Sequence, residues 1–163
     1  MNKRYVISDP HFGHKNMALH RGFQTVEEHD EHIISMWNSV VKKGDTVYLL
    51  GDVTMEKGNY DILDRLNGYK KVVLGNHDSP QHVPNLLKHV NSVCSSFKIK
   101  NLLFTHIPIH SSEFEYKAFM KNVHGHVHTN SIKDSRYINV CCENVNYKPI
   151  LIEDLFGFYK NDL

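Results

Sequence analysis

"VVLGNHDSP" (72–80) ends a strand in a way that a turn alone does not explain. Aliphatic and β-branched residues stop at Gly75, and an amide, an imidazole and a carboxylate follow at once, Asn76, His77 and Asp78. A turn needs the glycine and at most the asparagine. The pattern recurs along the chain. "YVIS" runs into Asp9-Pro10-His11, "VYLL" into Gly51-Asp52 and "LLFT" into His106, while "NVHGHVH" carries Gly125-His126-Val127-His128. In layered α/β sheets ligands bind beyond the carboxyl ends of the strands, so side chains placed there by different strands can converge on one crevice.

Working outward, "RYVIS" (4–8), "TVYLL" (46–50), "KVVL" (71–74), "NLLFT" (101–105), "YINVCC" (137–142) and "PILI" (149–152) read as strands. Their alternation with helical patterns predicts an α/β or mixed (α+β) layered fold. The clearest helix starts at "TVEE", where Thr25 and Glu28 form a capping box. Ile33, Trp37, Val40 and Val41 then recur on one face, and Lys42 and Lys43 close the helix before Gly44. Shorter helices are expected over 60–66 and after Pro84, through Leu86, Leu87 and Val90. Segment 107–121 reads as a loop with one helical turn, bordering a cleft. There is no internal repeat, low-complexity tract or linker.

The length, 163 residues, suits a single domain over 1–163. A net charge of +1 with both signs interspersed resembles neither a nucleic-acid arm nor a membrane-surface patch. No apolar stretch reaches the roughly 20 residues that span a bilayer, and "MNKRYVIS" enters a strand without a signal-peptide core. A cytoplasmic location is therefore expected. Cys94, Cys141 and Cys142 form no CxxC spacing or disulfide framework, and buried inert thiols are the expectation. Histidine is the outlier at 13 residues, an excess for which metal binding is a leading cause.

Each motif alone has a structural reading, whether as turn starter, strand exit or hydrogen-bonded surface histidine. Their joint placement at strand ends favours a metal site. Imidazole nitrogen and carboxylate oxygen in mixed sets suit a divalent transition ion. Asp9 and His11, like His126 and His128, are two apart and face the same way in extended geometry. Asp9, Asp52 and Asn76 with four imidazoles exceed what one ion needs, and two ions with a bridging carboxylate account for the number.

The succession Asp9-x-His11, Gly51-Asp52, Gly75-Asn76-His77-Asp78, His106 and Gly125-His126-x-His128 resembles the calcineurin-like metallophosphoesterases. "SDPHFGHKNM", "MWNSVVKKGDTVYLLGD" and "INVCCENVNYKP" look like a branch of small single-domain phosphoesterases common in bacteria and phages. The resemblance implies the metallo-dependent phosphatase fold, a β-sandwich flanked by helices in four αββα layers. It implies that Asp9, His11 and His128 hold one ion, that Asn76, His106 and His126 hold the other, and that Asp52 bridges. His77 would contact the phosphate and stabilise or protonate the departing oxygen, so that His77, Asn76 and Asp52 form the catalytic set. The ions would be manganese, iron, zinc, nickel or cobalt, with manganese favoured. Two cations about 3.5–4 Å apart can clamp a phosphoryl group and activate a bridging water for in-line attack.

The expected activity is hydrolysis of a phosphodiester in a small, nucleotide-like substrate. The alternatives are a phosphomonoesterase, a nuclease or a non-catalytic scaffold of the same fold. No basic track indicates long nucleic acid. The G-D-x-x-D-R-G block of protein serine/threonine phosphatases is absent, since Gly51-Asp52 is followed by "VTMEKG", which argues against phosphoprotein substrates. Asp78 is a candidate to orient His77 or to cap the next turn. Arg21 and His14 are candidate phosphate contacts. His29, His32, His82 and His89 read as surface residues. Substrate choice would lie in the loops 12–24, 54–59 and 107–121.

Overall fold

A computed structural model describes residues 2–55 and 58–156; Glu56 and Lys57 of the 54–59 loop, and 157–163 of the expected 1–163 domain, lie outside the described residues. The strands are β1 (Arg4–Ile7), β2 (Thr46–Leu49), β3 (Tyr69–Val73), β4 (Ser92–Cys94), β5 (Phe97–Ile99), β6 (Leu102–Phe104), β7 (Lys121–His124), β8 (Tyr137–Asn139) and β9 (Ile150–Leu151). The α-helices are α1 (Lys15–His20), α2 (Val26–Asn38), α3 (Val83–Leu86) and α4 (Ile152–Leu155).

The fold is mixed α/β with two sheets. One has the order β4-β3-β2-β1-β9, parallel except for β9 on β1. The other has the order β5-β6-β7-β8, with β5 antiparallel to β6 and the rest parallel. Strand alternation divides the apolar residues between two clusters. Tyr5, Ile7, Val47, Leu49 and Val72 pack with Ile33, Ile34 and Trp37 of α2. Val6, Val73 and Tyr48 turn the other way and join Leu102, Phe104 and Val123 of the second sheet, with Ile152 and Leu155 of α4. Burying each such side chain is worth about 1.5–3 kcal/mol.

Helix α2 begins where expected. Thr25 Oγ1 accepts from the Glu28 amide at 3.0 Å, and Glu28 Oε2 accepts from the Gln24 amide at 2.8 Å. It ends at Asn38, short of Lys42 and Lys43, because Asp45 takes the amides of Lys42 and Lys3, each at 2.8 Å, and turns the chain into β2. The helix expected over 60–66 is a 3-10 turn, Asp61–Arg65, and the one after Pro84 is a single turn, α3. The "YINVCC" strand stops at Asn139, whose Oδ1 accepts the Cys141 amide while its Nδ2 donates to the carbonyls of His128 and Asn130. Val140 and Cys141 then cross to the first sheet: Ser8 donates to the Val140 carbonyl at 2.9 Å and forms a parallel bridge with Cys141. In "PILI", Ile152 already belongs to α4. The loop expected at 12–24 contains α1, while 107–121 contains its helical turn as the 3-10 segment Ser111–Tyr116. No helix among the described residues is long and apolar enough to cross a membrane.

Candidate metal centre

β1, β2, β3, β6 and β7 each end two or three residues before a site residue. The loops after β1 and β2 run side by side, with the Asp9 amide donating to the Gly51 carbonyl at 3.2 Å and the His11 amide to the Asp52 carbonyl at 3.0 Å. The glycines preceding the site residues are dictated by crowding. A Cβ on Gly75 would collide with Asp52 Oδ1, and one on Gly125 with Ser8 Oγ and Asp9 Oδ2. Gly51 has φ +88°, and a Cβ there would meet the Gly75 backbone at 2.5 Å and His106 Nδ1 at 2.7 Å.

Five of the site residues adopt the left-handed backbone, with φ of 58° at Asp9, 51° at His11, 52° at Asp52, 70° at His126 and 50° at His128. This conformation costs a non-glycine residue about 1–2 kcal/mol. Such strain persists where the surroundings over-determine it, and it clusters at functional sites. Asp9 and His11 thus meet through turns rather than the extended geometry expected from the sequence, whereas His126 and His128 enter different donor groups.

Asp9 Oδ2 accepts from Ser8 Oγ at 2.5 Å, the His126 amide at 2.9 Å and Cys141 Sγ at 3.3 Å. Its other oxygen, Oδ1, is buried without a hydrogen-bond partner, as are both ring nitrogens of His11. These bare atoms face each other: His11 Nε2 lies 3.7 Å from Asp9 Oδ1 and 3.6 Å from Asp52 Oδ2. His128 Nε2 lies 4.0 Å from Asp9 Oδ1, and its ring stacks on His11 with centroids 5.2 Å apart. Burial alone would raise the Asp9 carboxyl, but the His11 ring beside it and the hydrogen bond from Ser8 outweigh it and hold the group well below the usual carboxylate range.

A second group adjoins the first. His106 Nδ1 lies 2.7 Å from the Leu50 carbonyl, an acceptor only, so Nδ1 carries the proton and donates. In the neutral ring, Nε2 then presents a lone pair toward Asn76 Oδ1 at 2.8 Å and Asp52 Oδ1 at 3.4 Å. His126 lies edge-on to His106, centroids 5.2 Å apart. Donor atoms of Asp9, His11 and Asp52 all lie within 4.8 Å of one another, as do those of Asp52, His106 and His126 and those of Asp9, His128 and Cys141. These groups could hold metal, and the buried unpartnered donors fit a cation, since buried polar atoms are otherwise almost always satisfied. Asp52 belongs to two of the three groups.

His77 stands at the rim, its side chain 45% exposed, with Nε2 4.0 Å from Asp52 Oδ2 and its amide donating to Asp52 Oδ1 at 3.0 Å. Asp78 does not orient it. Asp78 instead ties the β2 and β3 exits together, accepting from the amides of Asp52 and Gly75 at 2.8 Å and Val53 at 3.0 Å. A cleft of about 310 Å³ opens beside Asn76 and His106, lined also by Leu74, Ser95, Thr105 and Ile107.

His14 caps α1 by accepting the Met17 amide through Nδ1, and its ring lies 5.7 Å from that of His11. Burial, with His11 and His77 nearby, lowers its pKa. Arg21 is not available to a phosphate: its side chain is 1% exposed and holds the carbonyls of Asp9 at 2.7 Å and Pro10 at 2.9 Å, with Glu143 Oε1 at 2.8 Å. His29, expected on the surface, is buried between Arg21 Nη1 at 2.9 Å and Asp30 Oδ1 at 2.7 Å. Of the thiols, Cys141 and Cys142 are buried and Cys94 is partly exposed. Burial, reinforced by Asp9, pushes the Cys141 thiol far up.

Sequence reasoning missed Glu143. Its Oε1 lies 3.0 Å from His128 Nδ1, and that hydrogen bond raises the His128 pKa. Burial would raise Glu143 itself, but the bond to His128 and the Arg21 charge bring it down to about 2. Nothing in "CCENVNY" marks this residue, because the partners come from 15 and 122 positions away.

No family model matches the chain. It is 31% identical to the uncharacterized protein MJ1445 of Methanocaldococcus jannaschii, over 94% of this chain and 89% of that one. It is also 31% identical to the gene 66 protein of Mycobacterium phage L5, over 85% of this chain and 83% of that one. Among solved structures, a protein of unknown function from Aquifex aeolicus, AQ665, superimposes with a TM-score of 0.77 at 27% identity, covering 97% of this chain and 100% of that one.

Proposed function

The chain belongs to the family of MJ1445 and the phage gene 66 protein, and from the site it builds we propose a dinuclear metal-dependent phosphoesterase that acts on small phosphodiesters, nucleotide-like ones included. The observation that carries this reading is the set of buried donors without partners, Asp9 Oδ1 and both nitrogens of His11, beside a rim histidine and an open cleft. On this reading the fold is the metallo-dependent phosphatase sandwich in four αββα layers.

Asp9, His11 and His128 would hold one ion, Asn76, His106 and His126 the other, and Asp52 both, with manganese the favoured metal. When bound, the ions supply charge for the phosphoryl group and lower the pKa of the attacking water. The chain's own residues do the rest. His106 is held by the Leu50 carbonyl with Nε2 directed into the site. Asn76, exposed on its loop, can turn its amide NH₂ to a phosphate oxygen without the repulsion a carboxylate would bring. His77 is accessible and, when protonated, places positive charge where the departing oxygen develops its own. The cleft beside Asn76 has room for one ester group, near the lower end of the ~300–1,000 Å³ typical of ligand pockets. Its lining carries neither lysine nor arginine, which suits a small ester better than a long polyanion.

The test is hydrolysis of bis-p-nitrophenyl phosphate against p-nitrophenyl phosphate by metal-stripped protein with Mn²⁺ restored. Diester cleavage that requires metal is expected. His77→Ala should lower turnover by roughly 10²–10⁴ and keep its metal, whereas Asp52→Ala should lose both. Preference for the monoester would make the protein a phosphomonoesterase, and full activity with two ions in Asp52→Ala would remove that residue's shared role.

A further inference from the structure

We propose that Glu143, backed by Arg21, is a positioning residue that fixes His128 for metal binding and selectively sets the affinity of the ion held by Asp9, His11 and His128. This deepens the metal-site reading and rests on it. Glu143 Oε1 lies 3.0 Å from His128 Nδ1. A carboxylate accepts, so Nδ1 carries the proton and the lone pair is left on Nε2, the nitrogen 4.0 Å from the bare Asp9 oxygen. Outer partners of this kind fix the tautomer and ring orientation of a metal-binding histidine and raise its basicity.

The same Glu143 oxygen accepts from Arg21 Nε at 2.9 Å and meets Nη2 at 2.8 Å. Arg21 in turn donates to the Asp9 and Pro10 carbonyls. One buried ion pair therefore holds His128 from one side and the left-handed Asp9 loop from the other. Stability alone does not account for it. Glu143 Oε2 is buried with no hydrogen-bond partner, and such ion pairs are often no more stabilising than apolar side chains of similar volume. An incompletely satisfied buried charge beside a metal ligand is better explained by what it does to that ligand. Among the described contacts, Glu143 makes none with Asn76, His106 or His126, so its effect should be confined to one ion.

The test is calorimetric titration of Mn²⁺ into metal-stripped wild type, Glu143→Ala and Glu143→Gln, with circular dichroism to confirm folding. Wild type should show two binding events. In Glu143→Ala one event should weaken by about 10–100-fold while the other keeps its affinity. Glu143→Gln retains an acceptor oxygen and should fall between the two. If Glu143→Ala does not fold, Glu143→Gln decides, with a severalfold loss in one event expected. Equal affinities in a folded variant, or both events weakened by the same factor, overturn the proposal. A wild type that binds no ion overturns the metal-site reading itself.

Discussion

His11 is only 2% exposed, has a left-handed backbone and carries two ring nitrogens without partners. Each of these features works against folding, by about 1–2 kcal/mol for the backbone and about 1–3 kcal/mol for each unsatisfied buried group. Filling the space offsets them, since emptying a site of this kind costs about 2–5 kcal/mol. His11→Gly should therefore leave the metal-free protein within about 1 kcal/mol of wild type, as read from urea unfolding, while abolishing the stabilisation by Mn²⁺. A loss of 3 kcal/mol or more (roughly, on the scale of a buried large-to-small change) in the metal-free state would show that His11 serves the core. At this scale the sequence was informative about residue types: Asp9, His11, Asp52, His106, His126 and His128 do gather. It was silent on backbone, because Asp9 and His11 converge through left-handed turns that spacing does not reveal. Arg21 was misread for a different reason, a partner far away in sequence. A charge that looks free in sequence is fixed by Glu143 from 122 positions away.

Among the elements, the turn from α2 into β2 shows what closes a loop that composition leaves open. The amides of Lys3 and Lys42 donate to Asp45 and hold its carboxyl below the usual carboxylate range. A carboxyl whose folded pKa is depressed stabilises above its unfolded value and loses that contribution as pH falls through the folded one. Asp45→Asn should flatten the fall in stability as pH drops below the ordinary carboxylate range, measured by denaturant titration at each pH. An unchanged slope would assign the acid sensitivity elsewhere. Long strands with clear alternation, β1, β2 and β3, were legible because their two faces enter two different clusters. The three-residue strands β4 and β5 were not, because Ser92, Cys94 and Lys98 deny them the apolar run that marked the equally short β6 and β8. The end of β8 was missed because the Asn139 side chain competes for the backbone groups that would have extended it.

For the whole molecule, bare buried donors predict linkage between metal and stability. An ion at 100 times its dissociation constant adds about 2.7 kcal/mol, which for a chain of this size raises the melting temperature by about 5–10 °C. Chelation should reverse the rise, and a melting temperature indifferent to Mn²⁺ and to chelator would argue against a resident ion. Two sheets joined at Ser8 and Cys141 bring the loops of both to one edge, and whether those loops share a pair of ions is directly observable. Crystals of the protein soaked in Mn²⁺ should give two anomalous-difference peaks about 3.5–4 Å apart, both bonded to Asp52, one against Asp9, His11 and His128 and the other against Asn76, His106 and His126. Density with no anomalous peak among these side chains, or a lone ion that leaves Asp52 unbound, would contradict the dinuclear centre.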